Sequence, residues 1–122
     1  MKINEAWQRF FESFGMPAYR DTSVPDKDVS LPYLTYQFVR AEFNEKASIT
    51  VKMWFYTESE AEPDEYADLL YQRLKNGGAK VLYDGGAVVF SPGSPFCIAQ
   101  TGENDNNIKL RYFNITATYD QN

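Results

Sequence analysis

Residues 47–56 alternate without a break: Ile49, Val51, Met53 and Phe55 take one phase, and Ser48, Thr50, Lys52, Trp54 and Tyr56 take the other. A period of two sends successive side chains to opposite faces of a strand, so this stretch requires a sheet with one buried face. Residues 108–119 obey the same rule, with Phe113, Ile115, Ala117 and Tyr119 opposite Tyr112, Asn114, Thr116 and Thr118. Two strands of this kind exclude an all-helical fold. Residues 33–41 read as a further strand, joined to 47–56 through 42–46 as an antiparallel hairpin. Residues 80–83 and 87–90 flank Asp84-Gly85-Gly86, where glycine supplies the positive φ of a tight hairpin turn.

Spacings of three and four mark the helices. Ile3, Trp7, Phe10, Phe11 and Phe14 fall on one stripe, with Glu5, Gln8, Arg9, Glu12 and Ser13 off it, and Gly15 and Pro17 stop the helix. This stripe is read as the cover of a sheet rather than as a helix offered to a partner's groove. Residues 57–76 form the second helix. Ser59 and Glu62 have capping-box spacing, and Pro63 fits only the first turn. Tyr66, Leu69, Leu70 and Leu74 make the stripe, and Asn76-Gly77-Gly78 ends it. The acidic set Glu58, Glu60, Glu62, Asp64, Glu65 and Asp68 crowds the helix start. Negative charge there is favoured by the helix dipole by about 0.3 to 1 kcal/mol per group, so a solvated face is expected rather than a cation site or a catalytic carboxylate pair.

Residues 16–32 hold Pro17, Pro25 and Pro32 without periodicity and read as a long irregular connection; 91–95 read as a bend and 102–107 as a polar loop. The order helix, hairpin, helix, hairpin, long strand predicts a single α+β domain over residues 1–122. Its expected form is a two-layer sandwich, with two helices on one face of a mainly antiparallel sheet of four to five strands.

Composition narrows the chemistry. Histidine is absent, which removes Ser-His-Asp and Cys-His catalysis, zincin motifs and most zinc sites together. Cys97 is the lone cysteine, unable to form an internal disulfide or a CxxC pair, and is expected to be a small buried hydrophobe. Asp26-Lys27-Asp28 begins like a calcium loop but lacks the further ligand, glycine and closing glutamate. Gly85-Gly86 lacks the Lys-Ser or Lys-Thr and the helix of a phosphate loop. No catalytic, cofactor or metal site is expected, and the chain reads as a non-enzyme. Lys and Arg number 12 against 17 Asp and Glu, a net charge of −5, so no sequence-specific nucleic acid is expected as a partner. No run approaches the roughly 18 apolar residues of a membrane span, so no membrane is expected either.

With both helices on one side, the other sheet face is left open. It carries Tyr33, Trp54, Tyr56 and Tyr112, an apolar area of the kind that monomers usually avoid. Either another subunit or the chain's own remaining elements cover these rings, and a subunit interface is the expectation.

Several segments then occur in a recognisable order. They are Leu31-Pro32-Tyr33-Leu34-Thr35-Tyr36, a strand ending Met53-Trp54-Phe55-Tyr56, the acidic start of the second helix, Asp84-Gly85-Gly86 with Phe90-Ser91-Pro92-Gly93-Ser94-Pro95-Phe96, and Ile108-Lys109-Leu110-Arg111-Tyr112-Phe113-Asn114-Ile115. Their order resembles the tail terminator family of tailed phages, prophages and phage-like particles, also described as minor capsid or head-tail joining proteins. The resemblance spans residues 18–119. It implies an α+β subunit that assembles as a hexameric ring on the tail tube, stops tube polymerisation and presents the surface to which the head attaches. The implied partners are further copies of the chain, the tail tube protein and the head-tail connector. The implied location is the virion at the tail-head junction, after synthesis in the bacterial host cytoplasm. An acidic subunit would also suit a channel that DNA crosses. Within this frame the loops 21–30 and 102–107 are expected to make axial contacts, with Asp21, Asp26, Asp28, Glu103 and Asp105 as the candidates. The alternative is a small ligand- or carbohydrate-binding module that stacks its ligand on Tyr33, Trp54 and Tyr56.

Overall fold

The computed structural model describes residues 1–27 and 29–120. Its elements are α1 (Ile3–Glu12), β1 (Ala18–Arg20), β2 (Tyr33–Tyr36), β3 (Lys46–Tyr56), α2 (Ala61–Leu74), β4 (Ala79–Tyr83), β5 (Gly86–Thr101) and β6 (Ile108–Asp120). Among these residues the strands form one sheet in the order β1-β2-β3-β6-β5-β4. All neighbours are antiparallel except β1, which runs parallel to β2. The α+β content is as the sequence predicts. The strand count is not: a six-stranded mixed sheet, curled into a half-barrel, replaces the predicted two-layer sandwich with four to five strands.

The concave side of the sheet and both helices share one core. α1 buries Trp7, Phe10 and Phe11, and β3 and β6 bury the apolar phases read from the sequence, Ile49 to Phe55 and Phe113 to Tyr119. Trp7 is fully buried and meets Phe38 and Phe90 edge-on, each at 4.9 Å between ring centroids. Phe11 stacks on Tyr36 at 4.7 Å. Such pairs contribute about 0.5 to 1.5 kcal/mol each beyond the area they bury, so the α1 stripe anchors the helix as well as covering the sheet. Gln8 ties the same helix to the sheet margin: its Nε2 donates to the Ala18 carbonyl at 2.8 Å, and its Oε1 accepts from the Tyr36 hydroxyl at 2.5 Å.

Four local expectations are corrected. The connection 16–32 contains β1, whose three residues are too few to show a period but are held by Leu34 N–H to Pro17 and Asp21 N–H to Tyr36. The strand predicted over 33–41 ends at Tyr36, because Phe38, Val39 and Ala41 turn in to pack against the core. The α2 stripe loses one member: Tyr66, Leu70 and Leu74 face the core as expected, joined by Pro63, while Leu69 is 44% exposed. The predicted bend at 91–95 stays within β5, where a bulge between Pro92 and Cys97 absorbs the residues that cannot donate to the ladder. Gly93 is required there, since a Cβ would stand 2.7 Å from the Asn114 carbonyl oxygen.

Tyr119 closes the core at the end of β6 and donates its hydroxyl to the Val39 carbonyl. Burial pushes its phenol from the ordinary 10.0 up to about 12, with Tyr83 adding to the rise and Arg40 opposing it. The neutral form is therefore favoured in the folded chain. Its contribution is fully present below pH 10 and is lost as pH rises from 10.0 to about 12, amounting to about 2 kcal/mol. Tyr119→Phe is expected to flatten the fall of the denaturation midpoint across that window. Tyr33 and Tyr36, also raised by burial, retain part of the slope. An unchanged slope would remove Tyr119 from the account.

Candidate functional site on the open sheet face

The convex face of the sheet is built from the alternate phase of the same strands. Register places Tyr33 opposite Trp54, and Trp54 opposite Leu110; one step along, Thr35 faces Lys52, and Lys52 faces Tyr112. Tyr33 and Trp54 stack in parallel at 5.9 Å and 15° between planes, and Tyr19 meets Tyr33 edge-on at 5.9 Å. Lys52 Nζ lies 5.6 Å from the Tyr112 ring, whose hydroxyl is 3.3 Å from Thr50 Oγ1. Burial raises the Tyr33 phenol above its ordinary value, with Tyr19 adding to the rise. Among the described residues no group accepts from the buried Trp54 indole N–H.

Tyr33, Trp54 and Tyr112 line a concavity of about 430 Å³, to which Asp21 and Val24 also contribute. Three of the four residues expected at an interface, Tyr33, Trp54 and Tyr112, thus share one site. Tyr56 belongs to the same face but lies outside the concavity, 62% exposed at the end of β3. Thr35, Gln37, Thr50 and Lys52 complete the lining. The alternation had already put Thr50 and Lys52 on the face of Trp54, but not as site residues; Thr35 and Gln37, an even number of residues from Tyr33, were not assigned to it.

The two loops expected to act axially are separated. Residues 21 and 24 border the aromatic concavity, and no residue of 102–107 does. Asp21, Asp26 and Glu103 are exposed, and Asp28 lies outside the described residues. Asp105 is engaged within its own loop: its carboxylate accepts the Asn107 N–H at 2.9 Å and its carbonyl accepts that of Ile108 at 3.1 Å. Asp105 thus shapes the turn of its own loop. That loop is fixed to the end of β3 by the Asn107 carbonyl, which accepts the Thr57 N–H at 2.7 Å.

The acidic start of α2 is not wholly a solvated face. Arg111, 2% exposed on the inner face of β6, places Nη2 2.6 Å from Glu60 and 2.8 Å from Asp64. Burial alone would lower its pKa, but hydrogen bonds and charge from the two carboxylates outweigh this and hold the guanidinium above its ordinary value. The capping box is likewise displaced: Glu60 is the N-cap residue without a side-chain cap, and Ser59 Oγ accepts the Ala61 N–H at 3.0 Å. Cys97 is half-buried, and burial raises its thiol above its ordinary value, the opposite of an activated nucleophile. Among the described residues no group of three or more Cys, Asp or Glu is placed to hold a metal ion, and no helix is long and apolar enough to cross a membrane. Comparison with known family models, curated proteins and solved structures finds no match to this chain.

Proposed function

We propose that this chain is a structural assembly protein of the tail terminator kind: a subunit that closes into a hexameric ring on the tail tube, stops its growth and joins tail to head. The observation that supports this most is the open aromatic face. Tyr33, Trp54 and Tyr112 gather on a sheet surface opposite both helices, with Tyr56 beside them on the same phase. Large amphipathic rings on an uncovered surface are enriched where protein meets protein. The mechanism is geometric: a closed ring satisfies its lateral contacts and offers the tube one compatible face, so its addition removes the growing end. The partners are further copies of the chain, the tube protein and the head-tail connector, and the place of action is the tail-head junction of the particle.

Electron microscopy of the purified chain, alone and with tail tubes, is expected to show rings of uniform size, or tube ends capped by them. A chain that stays monomeric and leaves tube growth unaltered would sink the proposal. One observation favours a second reading. The concavity of about 430 Å³ falls in the size range of small-molecule pockets, and its parallel Tyr33–Trp54 pair suits a sugar ring or another flat ligand. Saturable quenching of tryptophan fluorescence by an oligosaccharide, with the chain monomeric throughout, would select that module instead.

A further inference from the structure

We propose that two copies of this chain pair edge to edge through the second half of β5, antiparallel about a two-fold axis at Ile98. β6 pairs with β5 as far as Thr101, but β4 covers only Gly86 to Phe90 of it. Among the described residues no strand therefore lies beside the outer edge from Cys97 to Thr101. The Gly102 N–H donates to the Ile108 carbonyl at 2.9 Å, which sets the alternation of the ladder. Ile98 and Gln100 spend their backbone groups on β6, and Cys97, Ala99 and Thr101 turn theirs outward. Ile98 is 39% exposed, and Ala99, Gln100 and Thr101 are exposed as well.

Sheet edges are ordinarily guarded by charge, proline or a covering element, because an open row of N–H and C=O groups templates another strand. The segment 96–101 holds neither a charged residue nor a proline. The margins of the sheet are guarded by contrast. On β1 the Ala18 carbonyl accepts from Gln8 and the Arg20 carbonyl accepts the Ser23 N–H at 2.9 Å. β4 carries Lys80, and at its end Met1 takes the Asp84 N–H at 2.7 Å and pairs its ammonium with the Asp84 carboxylate at 2.6 Å. With β1 covered and β4 short and carrying Lys80 beside an exposed Leu82, the uncharged β5 edge of one copy finds its match in the same edge of another, which gives an isologous contact. A groove of about 270 Å³ between Glu60 and residues 99–101 leaves room for the incoming chain.

The register follows from the alternation. Centring the axis on Ile98 makes it a non-hydrogen-bonded pair, the kind in which side chains approach most closely, so two exposed isoleucines cover each other. Cys97 of one copy then exchanges N–H···O bonds with Ala99 of the other. This contact uses the backbone of an edge, not the aromatic face, and does not depend on the ring proposed above.

Charge reversal tests it. With the proposed ring contact removed by Trp54→Ala, the chain is expected to sediment as a dimer at high concentration, and the same variant carrying Ile98→Lys or Ile98→Glu as a folded monomer, because like charges directly opposite repel. Mixing the two variants is expected to restore a dimer. Ile98→Cys in a Cys97→Ser background is expected to oxidise to a covalent dimer. A wild type that stays monomeric at its solubility limit overturns the proposal, including one that captures an extended segment of another protein at this edge. Dimers of the Trp54→Ala chain that survive Ile98→Lys overturn it too. Oligomers lost with Trp54→Ala but kept with Ile98→Lys would reject the edge contact and leave the proposed ring standing.

Discussion

Glu60→Gln combined with Asp64→Asn is expected to destabilise the fold by about 2 kcal/mol, whereas Arg111→Met is expected to cost less than about 1 kcal/mol. The asymmetry comes from exposure. The Arg111 side chain is 3% exposed, while those of Glu60 and Asp64 are 54% and 68% exposed. Removing both negative charges strands a guanidinium beneath α2, where the Leu110 carbonyl at 3.3 Å is a poor substitute. Breaking a fully buried pair costs about 3 to 5 kcal/mol, and solvent around these carboxylates reduces that figure. Removing the arginine instead leaves two carboxylates already in water at a helix N-terminus, where the dipole favours them. Urea denaturation of the three proteins ranks the effects directly. If Arg111→Met proves the more damaging, packing by its stem rather than pairing of its charge holds α2 to the sheet.

This ion pair marks the limit of what was legible in the sequence. The acidic start of α2 was visible, and so was the alternation that puts Arg111 on the inner face of β6 with Phe113 and Ile115. Their meeting was not, because it depends on how α2 crosses the sheet, which no local period records. The same division holds across the fold. The buried phases of β3 and β6, the α1 stripe and the Asp84-Gly85-Gly86 turn were readable because each is a local regularity. β1 was missed because a parallel partner gives a three-residue edge strand no turn to announce it. The full length of β5 was missed because Pro92, Gly93 and Pro95 signal a bend, and only the fit of Gly93 against Asn114 shows that the chain continues through it.

The candidate site divides in the same way. Tyr33, Trp54 and Tyr112 could be assigned to one face from period alone, and register gathers them. The concavity they line also takes in Asp21 and Val24, which the proline-punctuated stretch gave no means of placing. A face readable as aromatic is therefore also a shaped one. In the proposed assembly, a recess with an exposed Tyr56 on the same face would offer a neighbour both a socket and a platform.

Trp54→Ala is accordingly expected to abolish rings at concentrations where wild type forms them, and Tyr56→Ala to weaken them. Truncating a tryptophan at the centre of an interface typically costs about 2 kcal/mol or more, roughly 30-fold in each contact. In a closed ring every subunit both makes and receives that contact, so the loss is repeated around the circle. Monomer folding is expected to change far less. The stack of Trp54 on Tyr33 contributes about 0.5 to 1.5 kcal/mol, and Tyr56, largely exposed, contributes little to the isolated subunit. Trp54→Phe separates the ring's area from its N–H: it keeps an aromatic partner for Tyr33 and deletes a buried donor that has no acceptor among the described residues. Its monomer is expected to be as stable as wild type or more so, with assembly largely retained. Sedimentation velocity beside thermal denaturation reads both quantities. Unchanged sedimentation of both alanine variants alongside an oligomeric wild type would show that the rings assemble through some other surface, and would leave the aromatic recess to a ligand.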